Sequence, residues 1–254
     1  MQTLPGRKTD RDLRVYLVLL GGVLYLGLQI LLIEPGVFFS GDAGVKFLMV
    51  KQLAAGQSAM HFSSDKPAWV ESIWKQGFFP LKAPFIYDIG DSKTFAFPPA
   101  FEWMTLPFYR IAGFRGLFIL PAISLLALWY AFSRLAERCT RDRNLSLLAL
   151  IVLIFCSPLS AYGAMFWEHS LAAALSFAGC FFIARPPSNH IAAFLYGILA
   201  GLSCFFRIEL FILNALFALA AFYHFSIQKA TGHLVFIGGL ALPMLALSGW
   251  NFSV

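Results

Sequence analysis

The sequence predicts an all-α fold, a polytopic transmembrane helical bundle of about seven spans, with a long non-cytoplasmic first loop containing short helices. Three observations carry this expectation. Hydrophobic residues make up 59% of the 254 residues and charged residues 13%, where a soluble domain has about 45–50% apolar and about 25% charged. The mean hydropathy is +0.73. Long apolar runs recur along the chain, and the basic residues gather in the connections between them. Disorder is excluded, because it needs low hydrophobicity and high net charge. The net charge of +6 does not indicate a nucleic-acid partner, since no compact basic stripe occurs. Charge in connections between apolar runs sets membrane topology instead.

The first run, Val15 to Ile33, has about the length a helix needs to cross the hydrocarbon core. It is too long for a cleaved signal segment and no small-x-small site comes after it, so it reads as a retained span. Arg7, Lys8, Arg11 and Arg14 precede it, which places residues 1–14 on the cytoplasmic side and the chain beyond Glu34 outside. From Glu34 to about Arg115 the chain is mixed, with Lys, Asp, Pro and Gly spread among aromatics. Residues 34–115 therefore read as an external loop. Its last part, Phe95 to Ile111, is apolar but short and carries Pro98, Pro99, Glu102 and Pro107. It reads as a partial or re-entrant helix lying against other helices, because irregular backbone facing lipid would leave polar groups unpaired.

Six further runs complete the chain: Leu117 to Phe132, Leu145 to Tyr162, Leu171 to Ile183, Ile191 to Phe206, Phe211 to Phe225 and Leu234 to Leu247. Several are shorter than a full span and require tilt, extension by flanking residues, or a local break. The connection Arg134 to Arg143 contains Arg134, Arg138, Arg141 and Arg143 against Glu137 and Asp142, a strong inside signal. Arg185 and Lys229 mark two more inside connections. The whole, 1–254, reads as one transmembrane domain with the bundle over 116–250. Alternation then puts three polar islands outside: Ser40 to Lys46, Phe166 to Ser170, and Arg207 to Glu209.

These islands hold the ionisable groups that need an explanation, since charge at membrane depth is costly and usually faces a wet cavity or the bundle interior. Asp42 reads either as the N-cap of a helix starting near Ala43 or as a carboxylate facing a substrate. In the run after it, Lys46 and Lys51 are expected to snorkel to water. Glu168 and His169 read as an interfacial turn with Trp167 at headgroup level and Glu168 capping the next helix, or as acid–base or metal-ligand groups. Arg207 and Glu209 read as a solvated turn, or Arg207 binds an anion such as phosphate through its planar guanidinium. Glu102 is either exposed at the interface or buried, where it would act as an acid. The loop charges Asp65, Lys66, Glu71, Lys75, Lys82, Asp88, Asp91 and Lys93 read as solvated surface. Cys139, Cys156, Cys180 and Cys204 read as ordinary thiols, not as a disulfide framework. No GxxxxGK[ST], GxGxxG or GxSxG motif occurs, so ATP hydrolysis and classical serine chemistry have no support.

The order of the islands resembles the integral-membrane glycosyltransferases of the GT-C fold. That superfamily includes protein O-mannosyltransferases and bacterial enzymes that use polyprenyl-phosphate sugars. The resemblance runs from about Val15 to Phe225. It rests on Ser40-Gly41-Asp42-Ala43-Gly44-Val45-Lys46-Phe47, on Phe97-Pro98-Pro99-Ala100-Phe101 through Gly113, on Phe166-Trp167-Glu168-His169, and on Arg207 closing a Gly-rich span after Gly197 and Gly201. It implies that Asp42 is the catalytic base and that Glu168 and His169 line the donor or a metal site. It also implies that Arg207 holds the lipid-linked phosphate; Glu209 and Glu102 are further candidate substrate contacts from their place in the sequence. No cofactor is required by it, although Asp42, Glu168 and His169 are groups a divalent metal would use. The implied partners are a polyprenyl-phosphate sugar donor, a glycan, lipid or protein acceptor, and membrane lipid, in the inner (plasma) membrane of a bacterium. Asp42 is followed by Ala43 where many relatives carry a second acid, and the chain is shorter than most of that family. An N-terminal portion of such an enzyme, or an inactive truncated homologue, is therefore also expected. A transporter or lipid-handling protein is the alternative class.

Overall fold

A computed structural model describes residues 6–62, 68–78, 81, 83–90, 92–140 and 142–253, the side chains of 6–12, 68, 78 and 248–253 excepted. Asp65, Lys66, Lys82, Asp91 and Arg141 lie outside the described residues. The chain forms two compact units, Met1–Leu32 with Pro121–Val254, and Ile33–Leu120.

The first unit is helical throughout most of its described length. It contains α1 (Gly6–Leu32), α5 (Ile119–Thr140, from Pro121 on), α6 (Arg143–Phe155), α7 (Leu159–Gly163), α8 (His169–Ala184), α9 (His190–Phe206), α10 (Leu210–Gln228) and α11 (Gly232–Ser253). Among the described residues three stretches are long and apolar enough to cross a membrane: Leu13–Leu32, Ala100–Thr140, which Gly113 and a 3-10 segment interrupt, and Leu210–Gln228. Arg143–Phe155, His169–Ala184, His190–Phe206 and Gly232–Leu247 are apolar but shorter. Two boundaries differ from the sequence expectation. The run Leu145 to Tyr162 does not continue as one helix. Pro158 lacks the N–H that continuation needs and disfavours helical backbone before it, so α6 stops at Phe155 and α7 restarts at Leu159. The basic connection is also shorter than expected. Helix α5 runs on to Thr140, so Arg134 and Arg138 ride on its last turns. Asp142 then caps α6 by accepting from the Asn144 and Leu145 N–H groups at 2.8 and 3.2 Å.

Two apolar clusters hold this unit. Leu26, Leu125, Leu128, Trp129, Leu150 and Ile154 join α1, α5 and α6. Phe182, Ala193, Ala200, Phe217, Phe236 and Leu240 join α8 to α11. Helices α9 and α11 meet backbone to backbone. A Cβ on Gly197 would strike the Phe236 carbonyl, one on Gly201 the Leu240 carbonyl, and one on Gly239 the Phe194 carbonyl. Small residues at such positions allow close packing where burial from water supplies no drive between helices.

Contacts along the unit sort its ends. The Arg138 guanidinium lies 5.6 Å over the Phe181 ring, and the Thr231 hydroxyl meets His190 Nε2 at 3.1 Å. The α5–α6, α8–α9 and α10–α11 turns, carrying Arg138, Arg143, Arg185 and Lys229, therefore share one end. The α7–α8 and α9–α10 connections share the other.

The second unit is not purely α-helical. It contains α2 (Gly41–Ala54), α3 (Ala68–Ile73), a wide turn over Trp74–Phe78, strands β1 (Ile86–Ile89) and β2 (Ser92–Phe95), α4 (Ala100–Ala112) and a 3-10 segment, Gly113–Phe118. The hairpin pairs Ile86 with Phe95 and Ile89 with Ser92 and corrects the all-α expectation for the loop. Each strand is only four residues, too short for alternation to stand out among aromatics. Gly90, at φ 59°, supplies the turn. Val45, Met49, Ile86 and Phe95 form the unit's core. The helix expected within Phe95 to Ile111 is α4. Pro99 sits at its N-cap and Gly113 ends it at φ 56°.

Candidate functional site

At the end of the first unit opposite its basic turns, two of the three polar islands meet. Tyr162 comes from α7, Trp167 and Glu168 from the connection after it, and His169 opens α8. Arg207 is the C-cap of α9, its N–H donating to the Ser203 carbonyl at 3.0 Å. Glu209 immediately precedes α10. Local electrostatics favours each placement. The carboxylates stand at helix N-termini and the guanidinium at a C-terminus, as the helix dipoles prefer.

The guanidinium has two differently occupied edges. Nη1 donates to His169 Nε2 at 3.0 Å across 38 residues of sequence and lies 3.6 Å from Glu168 Oε1. Nη2 donates to Glu209 Oε1 at 2.7 Å. Because Nε2 accepts, the His169 ring is neutral with its proton on Nδ1. The side chains of Glu168, Arg207 and Glu209 are 9%, 32% and 63% exposed. The Glu209 carboxyl is held below its usual value of 4.5 by hydrogen bonding to its own backbone N–H and by the adjacent Arg207 charge. With His169 neutral, two carboxylates face one guanidinium, and these four side chains together carry one excess negative charge.

An aromatic layer adjoins the cluster. The Trp167 and His169 rings lie 4.7 Å apart at 31°, and Tyr162 lies 5.7 Å from Trp167 and 5.4 Å from His169. Such a layer offers apolar faces beside a charge, a surface suited to a ligand with both characters. Beneath Arg207, Asn214 Nδ2 donates to the Ala200 carbonyl at 3.0 Å and to Ser203 Oγ at 3.3 Å. This ties the last turn of α9 to α10. Asn214 is a supporting residue that the sequence does not single out. Its only signal there is a lone amide inside an apolar run.

Several expectations for individual residues change. Glu168 occupies the N-cap position of α8 but makes no side-chain cap hydrogen bond; its carboxylate turns to Arg207 instead. Asp42 is not the N-cap of α2. Ser40 is, its Oγ accepting from the Ala43 N–H at 3.3 Å, while Asp42 stands in the first turn. The Asp42 side chain is half-buried and receives no hydrogen bond from the described residues. Lys46 does not snorkel. It is 3% exposed, with Nζ 4.7 Å from the Phe97 ring centroid, because α2 packs this face inward against aromatics. Glu102 is fully buried in α4. Asp42, Lys46 and Glu102 belong to the second unit.

Among the described residues no three His, Cys, Asp or Glu side chains converge on a point that could hold a metal. Glu168 and His169 instead converge on Arg207, whose charge occupies the place a metal would take. Those residues do not fit a divalent ion as arranged. No protein-family model, no curated protein and no solved structure matches the chain.

Proposed function

We propose that this protein is a multi-pass membrane glycosyltransferase of the GT-C type, or part of one. It would transfer a sugar from a polyprenyl-phosphate donor to an acceptor on the non-cytoplasmic face. The observation that carries the reading is the meeting of Glu168 and His169 with Arg207 at the end of the unit away from its basic turns. The positive-inside rule assigns those basic turns, and with them the N-terminus, to the cytoplasm. The cluster then faces the compartment where lipid-linked sugars without nucleotide are used.

Each group supplies one part of the chemistry. The acceptor hydroxyl oxygen attacks the anomeric carbon as its proton passes to a carboxylate base, the role that the GT-C resemblance gives to Asp42. The bond between that carbon and the phosphate oxygen breaks, and its electron pair leaves with the lipid phosphate. Arg207 offsets the charge that accumulates on the leaving group. One base and no enzyme nucleophile give inversion. Trp167, His169 and Tyr162 offer ring faces to the sugar or to the first isoprene units. The apolar faces of the helices accommodate the donor tail.

The test is transfer, or donor hydrolysis, by the chain reconstituted in liposomes with a panel of labelled polyprenyl-phosphate hexoses and pentoses. Asp42→Asn is expected to lower turnover about 10²- to 10⁴-fold, the usual worth of a general base. Arg207→Gln is expected to lower turnover with a given donor about 10-fold or more, as loss of a hydrogen bond to a charged group does. Wild-type turnover in both variants would refute the reading, and uptake of solute without transfer would point to a transporter.

A further inference from the structure

We propose that Glu209 is a displaceable counter-ion. It occupies the outer edge of the Arg207 guanidinium until a ligand phosphate exchanges for it, and so sets the affinity of the site for phosphorylated ligands. The inference rests on the reading of Arg207 as the phosphate-holding residue.

Three observations lead here. First, the two edges of Arg207 differ in mobility. The inner edge is tied to His169 and to the buried Glu168, both at the start of α8 and, in the case of His169, 38 residues away from Arg207. The outer edge is tied to Glu209, only two residues along the chain and 63% exposed. Moving Glu209 aside needs a side-chain rotation in solvent and no helix displacement. Moving Glu168 would draw a buried carboxylate away from its cation.

Second, the charge balance forbids simple addition of an anion. The cluster already holds two carboxylates against one guanidinium, so a phosphate entering as a third anion meets net repulsion. Once Glu209 swings out, Glu168 balances Arg207 and His169 is neutral. The incoming phosphate then also sees the N-terminal ends of α8 and α10, which are 16 and 19 residues long. The positive ends of the two helix dipoles favour an anion at that place.

Third, the exchange is favourable in kind. An exposed carboxylate–guanidinium pair is weak and screened, whereas a phosphate monoester, the form in which the lipid phosphate leaves, offers the guanidinium a bidentate, more highly charged partner. Glu209 holds the guanidinium extended and oriented in the free protein, which lowers the ordering cost of binding.

The shared chemistry is a phosphate group, carried either by a lipid or by a soluble ion. The test uses the full chain in phosphatidylcholine nanodiscs, with binding isotherms for farnesyl phosphate and, separately, for inorganic phosphate. Glu209→Gln is expected to bind farnesyl phosphate about five-fold more tightly than wild type, the ratio matching the upper worth of an exposed ion pair. Arg207→Gln is expected to lose this binding in either background. A gain toward both probes means the site reads the phosphate group alone; a gain for farnesyl phosphate only assigns the lipid as its source. Equal or weaker binding by Glu209→Gln, with binding still lost in Arg207→Gln, overturns the counter-ion role and leaves the wider reading standing. Absence of Arg207-dependent binding in every variant overturns both.

Discussion

In the unit formed by Ile33–Leu120, Lys46 is 3% exposed and Glu102 not at all. In the other unit, Arg207 keeps 32% of its side chain in solvent and Glu209 63%. The first pair of charges is enclosed, Lys46 lying against the Phe97 ring. The second set stands at the ends of α8, α9 and α10, where backbone dipoles already favour it. Charge sealed inside a core stabilises one packing and is hard to exchange. Charge at helix ends costs little to keep and is free to change partners. By that criterion the Arg207 cluster is the more exchangeable of the two sets of charges, which is what the proposed function asks of it.

The sharpest way to break this contrast is to reverse the enclosed charge. Lys46→Glu is expected to destabilise by on the order of 3–5 kcal/mol, the cost of an uncompensated buried charge, read as a collapse of the thermal midpoint in detergent. A mild effect would place Lys46 in water and void the comparison. Next in size is Gly201→Leu. Its side chain would meet the Leu240 carbonyl, and overpacking of this kind costs about 1–3 kcal/mol. Because α9 carries Arg207 at its end, the same variant is expected to weaken phosphate binding. Gly238→Ala is the control, since a Cβ there meets nothing within 4 Å and phosphate binding should stay at the wild-type level.

A smaller effect distinguishes Ser40 from Asp42. Ser40→Ala removes the α2 cap and is expected to cost about 1 kcal/mol in chemical denaturation. Asp42→Asn leaves that cap in place and is expected to shift stability by no more than about 0.5 kcal/mol, although it cripples transfer under the proposed mechanism. The opposite order would make Asp42 structural. The smallest effect concerns pH. The Glu209 carboxyl is depressed below 4.5 in the folded chain, so its contribution to stability is present above the ordinary carboxylate range. It is lost as pH falls through the depressed value. The stability difference between wild type and Glu209→Gln is therefore expected to be flat near neutrality and to vanish only in acid.

Much of the helical layout was legible in the residues. The seven apolar runs foretell helices, because composition is a local property, whereas the close crossing at Gly197 and Gly201 emerges only from the packing of α9 on α11. The three polar islands stand out for the same reason. Other features were not legible. Ser40 and Asp42 are both good capping residues two positions apart, and only the backbone geometry at Ser40, extended at φ −148°, decides between them. Lys46 reads as a snorkelling residue until α2 is packed. The hairpin over Ile86–Phe95 is too short to announce itself.

Composition and the placement of basic residues determined by themselves that this chain forms long apolar helices with polar connections, since transfer free energy is summed residue by residue. Which of those polar connections touch was decided by tertiary structure alone. The His169–Arg207 hydrogen bond spans 38 residues and exists because α8, α9 and α10 pack antiparallel, bringing one helix end and two helix starts to the same level. Packing likewise sorted the charges, enclosing Lys46 and Glu102 and leaving Glu209 in water, because the solvent a side chain sees depends on its neighbours in space and not on its neighbours in sequence.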